Sequence, residues 1–324
     1  MACPRTRRDR WAILGRWRAP ERKTWSVDLG CGEVTPPVES TASPVDIDLL
    51  DVPPAGTVER WAWDYVYTTD LAHKLAPPPL PRVWEPHAKS RRIEAPGRPP
   101  ELSVVLHASK TPSAGALRSP EKRAQLVHTF LHHELQAAEL MAWASLAFAS
   151  APRAFRGGLL HILADEVRHM RLYDDYLRDL GYRFGSFAVR DWFWERVPSA
   201  QTPAQFVAVM GVGFEGANLD HTARFAERFR AIGDHRGAEI QERVGAEEIP
   251  HVRFAVRWLR RFLATETGAE TPLDFDVWWR TLPPPLSPML MRGKPQNRVA
   301  RAKAGLSERF LEELGAWSCD VPGS

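Results

Sequence analysis

From about residue 119 the chain takes on a helical rhythm, with apolar residues returning every three or four positions. Ser119-Pro120 supplies a cap and a first-turn proline for a helix running to about Phe148. A second stretch of the same period runs from Pro152 to Leu180 and stops at Gly181. The third opens with "TPAQ", where Thr202 and Gln205 form a capping box around Pro203, and it ends near Gly233. Asp234 caps a fourth, which reaches about Ala264. Short connections and one longer link, 181–201, predict an antiparallel four-helix bundle. Near the end, "LSERFLEELGAW" reads as a short amphipathic helix.

The first hundred residues carry a different pattern. Fifteen of the 28 prolines fall there, including "PP" at 36–37 and 53–54 and "APPPLP" at 76–81. Each removes an amide donor and clashes with the preceding turn, so long helices are excluded. "TWSVDL" (24–29) and "VDIDLL" (45–50) alternate as short strands, and 57–75 reads equally as strand or short helix. Trp25, Trp61, Trp63 and Trp84 mark surfaces that dock. The expected organisation is a Pro-rich, partly β extension over 1–100, the bundle over 101–265, and a C-terminal extension packing on it over 266–324.

Composition narrows the class without naming a function. The chain of 324 residues is 44% hydrophobic and 26% charged, ordinary for a protein that buries a core. A net charge of +3 does not by itself indicate nucleic acid. Cys3, Cys31 and Cys319 are far apart and form no CxxC, which argues against a disulfide framework or a zinc–thiolate site and fits a reducing cytoplasm. No run approaches the ~20 apolar residues that span a bilayer, and the basic amino terminus lacks the apolar stretch of a secretory signal.

Candidate chemistry lies on the inward faces of the helices. "LADEVRHM" (163–170) and "GAEEIPHV" (245–252) each place a carboxylate three residues before an imidazole among apolar neighbours. Glu166 and His169 share a face with Leu159, Ile162, Leu163, Met170, Tyr173 and Leu177; Glu248 and His251 share one with Val244, Val252, Ala255 and Leu259. A lone buried carboxylate costs several kcal/mol unless paired or coordinated, so partners are required. Glu134, on the face of Val127, Leu131, Ala138 and Met141, and Glu215, on that of Ala208, Val212, Leu219 and Thr222, meet the need.

Glu134 precedes Glu166 by 32 residues and Glu215 precedes Glu248 by 33, so each pair is set at matching height on a helix hairpin. Four carboxylates and two imidazoles converging in a bundle form the ligand set of a dinuclear metal site. Oxygen and imidazole donors without thiolate suit iron or manganese. Glu139 competes with Glu134 as first ligand but points ~140° away around the helix.

The doubled motif resembles the di-iron oxygenase branch of the ferritin-like superfamily, whose metal helices carry Asp/Glu-Glu-x-Arg-His. "DEVRH" (165–169) fits that pattern, and "EEIPH" (247–251) fits except that Pro250 replaces the arginine and should distort its turn. Over 94–305 the chain also resembles a bacterial ferritin-like family of unknown function. That likeness is carried by "APGRPP", "HHELQAAEL", "DEVRHM", "EGANLD" and "GKPQNRVARAKAG". A related branch hydroxylates a hypermodified adenosine in tRNA.

The resemblance implies a mainly α, ferritin-like fold with Glu134, Glu166, His169, Glu215, Glu248 and His251 as ligands. It also implies that Asp165 and Glu247 accept from the histidine rings, with Arg168 in that network. Asn218, one turn after Glu215, either hydrogen-bonds a bound water or ligand or serves ordinary helix packing. Tyr173, four residues after His169, stands where ribonucleotide reductase small subunits hold a radical tyrosine, against the plainer role of a packed core tyrosine. His132, His133 and His221 are read as peripheral. Gly211, Gly213 and Gly216 thin the third helix, either to admit a small molecule or to let helices pack closely.

The expected function is therefore an oxygen-activating oxidoreductase, a hydroxylase or oxidase holding two Fe ions (or Mn, or Fe/Mn), with dioxygen, an organic substrate and an external electron donor as partners. Two alternatives stand beside it. One is an iron-handling ferroxidase or peroxide scavenger. The other is an RNA- or partner-binding module using Arg292, Lys294, Arg298, Arg301 and Lys303 on phosphates. A homodimer is compatible with any of these.

Overall fold

The computed structural model describes residues 51–107, 112–267 and 273–318. The segments 24–29 and 45–50, Trp25, the three cysteines and the basic amino terminus lie outside the described residues. Those described belong to one unit, Asp48–Ser324.

The molecule is mainly helical. Residues 57–75, ambiguous in sequence, form two short helices: α1 (Val58–Tyr67), capped by Thr57, and α2 (Leu71–Leu75), capped by Asp70. Among the described residues no strand forms; two isolated bridges, Thr57 to Val83 and Val104 to Val189, are the extent of β pairing. The prolines explain this, since each withholds a ladder donor. Trp61, Trp63 and Trp84 pack against the common core.

Four long helical segments follow. The first two are α3 (Pro120–Ala147) and α4 (Arg153–Asp179), which pack along each other as a hairpin. Helix α1 lies against α3, and every residue of α3 from Glu134 to Ala147 is buried. A helix enclosed on all sides is why the chain places small alanines at 137, 138, 142, 144 and 147.

The third segment is composite. It starts as α5 (Pro203–Phe206), where Thr202 Oγ1 accepts from Gln205 N (3.1 Å). Gln205 reaches back to Gln201 N (2.8 Å), one residue before the cap. It then widens into a π-helical stretch, Val207–Glu215, before resuming as α6 (Gly216–Arg230). The turns of that stretch are wider than those of an α-helix, and Ala208 O accepts from the buried Trp278 indole (2.9 Å). The fourth segment, α7 (His235–Thr267), is capped by Asp234 and runs unbroken through Pro250.

Space beside the third segment is filled. A Cβ on Gly211 would stand 2.2 Å from Ala255 Cβ, and one on Gly213 would stand 2.4 Å from Met291 Sδ. These glycines serve close packing rather than an opening.

The carboxy-terminal part adds α8 (Phe275–Thr281), α9 (Arg298–Lys303) and α10 (Glu308–Ala316). Arg301, expected at a phosphate, is fully buried and forms a two-armed pair with Asp220 (3.0 and 2.8 Å). Asp220 also accepts from Gly293 N and Asn297 N, so it clamps this tail to α6. Arg292 donates to the Leu314, Gly315 and Trp317 carbonyls, and Arg298 pairs with Glu308. Of the five basic residues, Lys294 and Lys303 remain exposed. Among the described residues no helix is long and apolar enough to cross a membrane.

Candidate metal centre

The inward stripes of α3, α4, the third segment and α7 meet at one point. Glu134, Glu166, His169 and Glu248 each offer a ligand atom, all within 4.8 Å of one another, and all four residues are buried. His251 joins them, with Nδ1 3.1 Å from Glu166 Oε1 and 3.0 Å from Glu248 Oε2. His169 Nδ1 lies 3.2 Å from Glu166 Oε2, 3.5 Å from Glu134 Oε2 and 3.7 Å from Glu248 Oε1. Glu215, at the end of the π-helical stretch, is buried with its Oε1 making no hydrogen bond. Glu166 Oε1 likewise makes none, although it stands close to His251.

The outer edges of the two rings are held crosswise. His169 Nε2 donates to Glu247 on the opposite hairpin (3.1 Å), and His251 Nε2 donates to Asp165 (3.0 Å). Arg168 ties the acceptors together, donating to Asp165 Oδ1 (2.7 Å) and Glu247 Oε2 (2.9 Å). This bracket fixes both rings so that Nδ1 faces inward. Pro250 leaves His251 aimed inward with its partners at 3.0–3.1 Å.

Charge in the centre is unbalanced. Burial pushes the Glu134 and Glu215 carboxyls well above their ordinary range, and the like charge of neighbouring glutamates adds to it. Glu166 also meets the cost of burial, but His169 and His251 beside it outweigh that cost and lower its pKa. Burial disfavours the charged form of both histidines, yet the surrounding carboxylates overcome it and raise each well above the ordinary value. Among the described residues no lysine or arginine pairs with Glu134, Glu166, Glu215 or Glu248. Four buried carboxylates around two imidazoles thus have room and need for cationic charge.

Glu139 is excluded from the centre. It pairs with Lys74 Nζ (2.7 Å) and Arg98 Nη1 (2.6 Å) and accepts from the Trp194 indole (2.8 Å). Asn218 Nδ2 donates to Glu248 Oε1 (3.2 Å), a glutamate of α7. Tyr173 is buried, and its hydroxyl accepts from Gln241 Nε2 (3.0 Å). Gln241 went unnoticed in the sequence, because a glutamine seven residues before Glu248 carries no signal of its own. His132 pairs with Asp191 (3.1 Å) away from the centre.

A cavity of about 460 Å³ opens onto this cluster, and Glu134, Glu215 and Tyr173 are part of its wall. His132, His133 and His221, read as peripheral, line it too.

Residues 59–312 match a family model described as a protein of unknown function (DUF455). The chain belongs to that family. All six residues of the cluster, and Asp165, Arg168 and Glu247 behind them, fall inside the part that matches DUF455. An uncharacterized protein of Haemophilus influenzae is 25% identical over 167 residues, covering 49% of this chain and 58% of that protein. The matched part thus spans less than two thirds of that relative. No solved structure matches the chain.

Proposed function

We propose that this protein is a non-haem dinuclear metal oxidoreductase of ferritin-like, antiparallel four-helix architecture that oxidises an organic substrate with dioxygen. The observation that carries the reading is one buried cluster of four glutamates and two histidines in which, among the described residues, no lysine or arginine pairs with the glutamates. The donor set is oxygen and imidazole without sulfur, which fits iron, manganese or a mixed pair.

Glu134 and Glu166 with His169 would hold one ion, and Glu215 and Glu248 with His251 the other. Glu166 and Glu248 each approach both imidazoles, so either would be within reach of both ions. When bound, a pair of such ions supplies the reduction of dioxygen and the oxidation of a substrate bond. The chain does the rest. Asp165 and Glu247 accept hydrogen bonds from the Nε2–H groups, so Nδ1 of each ring is the atom that would face a metal once its own proton has left. Glu134 and Glu215 border the cavity, so a bound molecule meets the centre from that side. The electron donor is external. An iron-storage role has less support, since a chamber of this size is more than an ion needs.

Protein expressed in iron-supplemented cells is expected to carry a metal pair per chain. Ferrous protein exposed to dioxygen should develop the near-ultraviolet absorption of an oxidised di-iron centre. Metal-free protein, or metal with no spectral response to dioxygen, would overturn the proposal.

A further inference from the structure

The cavity beside the cluster has walls that favour one kind of guest. Phe193 and Phe214 stack nearly parallel, with centroids 5.2 Å apart and planes 12° apart, and Trp192 packs edge-on or tilted against both. The His133 imidazole lies 5.0 Å from Phe193. Elsewhere in the lining, Phe130 meets Tyr173 at 5.6 Å.

The wall carrying Trp192 and Phe193 is built in place rather than left to adapt. Gln136 Oε1 accepts from Phe193 N (2.9 Å), and its amide donates to Arg190 O (3.3 Å). Asp191 is gripped by Arg98 and His132, and Trp194 donates to Glu139. Aromatic faces fixed in this way favour another π-system through offset or edge contacts, beyond what apolar area alone gives.

Charge decides the rest. Among the described residues that line the cavity the guanidinium is Arg190, whose Nε and Nη2 donate to Glu195 (2.8 and 2.7 Å). The lining carboxylates are those of the cluster. Burial holds His221 down at about 4, and Arg224 lies 3.0 Å from its Nδ1, so at neutral pH it is an uncharged hydrogen-bonding group. Among the described lining residues a phosphorylated or carboxylated guest would meet two buried carboxylates and a guanidinium already paired with Glu195, whereas a hydroxyl or ring nitrogen would find imidazole.

We infer that the chamber binds an uncharged aromatic or heteroaromatic molecule, its ring against Phe193, Phe214 and Trp192 and its polar substituent toward His133 and His221. The placement beside the metals rests on the function proposed above; the recognition of the ring does not.

The test is equilibrium binding to the full chain by calorimetry and by quenching of tryptophan emission, with three probes of one carbon skeleton. 2-Naphthol is expected to bind about tenfold more tightly than decahydro-2-naphthol, the size of effect that aromatic contacts supply, and naphthalene-2-sulfonate to bind least. Phe193→Ala should lower 2-naphthol affinity about tenfold while metal content stays unchanged. The selectivity of the unaltered protein serves as an independent readout if that variant folds poorly. Equal binding of the saturated alcohol, preference for the sulfonate, or no binding overturns the inference. Naphthol binding by a protein that never takes up metal would overturn the proposed function and leave the chamber assignment standing. Metal uptake without naphthol selectivity would do the reverse.

Discussion

Glu134 and Glu139 lie five residues apart on α3, and both are buried, yet their surroundings differ in kind. Around Glu139 the chain supplies its own cations. Lys74, fully enclosed, and Arg98 both reach it, and Arg98 goes on to Asp191. Their charge outweighs the cost of burial and holds the Glu139 pKa below its ordinary value. Around Glu134 the nearest charged groups are two more glutamates and a histidine, and burial drives its pKa up. One cluster is complete as folded; the other calls for positive charge from outside. A buried carboxylate is therefore not by itself a functional signal, whereas a set of them without lysine or arginine partners is one.

Substitutions can break this contrast. The largest effect is expected from Glu166→Ala or Glu248→Ala, which should abolish metal uptake measured by elemental analysis. Unchanged stoichiometry in both would sink the metal assignment. Glu139→Ala should instead keep metal in the folded fraction while destabilising the chain by about 3–5 kcal/mol, because Lys74 is left buried without its carboxylate. Urea unfolding measures that loss, and adding Lys74→Met should recover much of it.

A smaller change is expected from Asp165→Asn, which weakens the grip on the His251 ring. Metal affinity should fall about 10- to 100-fold in chelator competition with the fold unchanged. An affinity equal to that of the unaltered chain would mean that the crossed bracket does not orient the rings.

The smallest effect concerns pH. Burial raises the Asp191 pKa, but hydrogen bonds from His132 and Arg98 and the Arg98 charge prevail, setting it at about 2. A carboxylate with a depressed folded pKa stabilises above its unfolded value and loses that contribution as pH falls toward the folded one. Roughly 1–2 kcal/mol, discounted for its partial exposure, should therefore disappear between about pH 4 and pH 2. Urea midpoints across that window should show a shallower acid limb for Asp191→Asn. An identical limb would place the acid sensitivity elsewhere.

Much of the helical layout was legible in the chain because period and caps act locally. Pro120, Thr202-Pro203, Asp234 and Ser307 each begin a helix where the pattern starts. The inward stripes placed Glu134, Glu166, His169, Glu248 and His251 together for the same reason, since helical spacing fixes which side chains share a face. Glu215 was placed by counting regular turns, yet the backbone reaches it through nine π-helical residues. Beside that stretch stand a distant indole, Trp278, and close contacts of its glycines with α7 and Met291, which no local rule reports.

The sequence by itself determined where the long helices run and which of their faces turn inward, since both follow from interactions within a few residues along one chain segment. Only the tertiary structure decided which buried charges find partners. Arg301 left a basic surface stretch for Asp220, Glu139 went to Lys74 and Arg98, and among the described residues the cluster glutamates met imidazoles, an amide and each other but no lysine or arginine. The physical reason is that pairing energy depends on distance and burial between groups tens to hundreds of residues apart, and those are set by packing rather than by spacing along the chain.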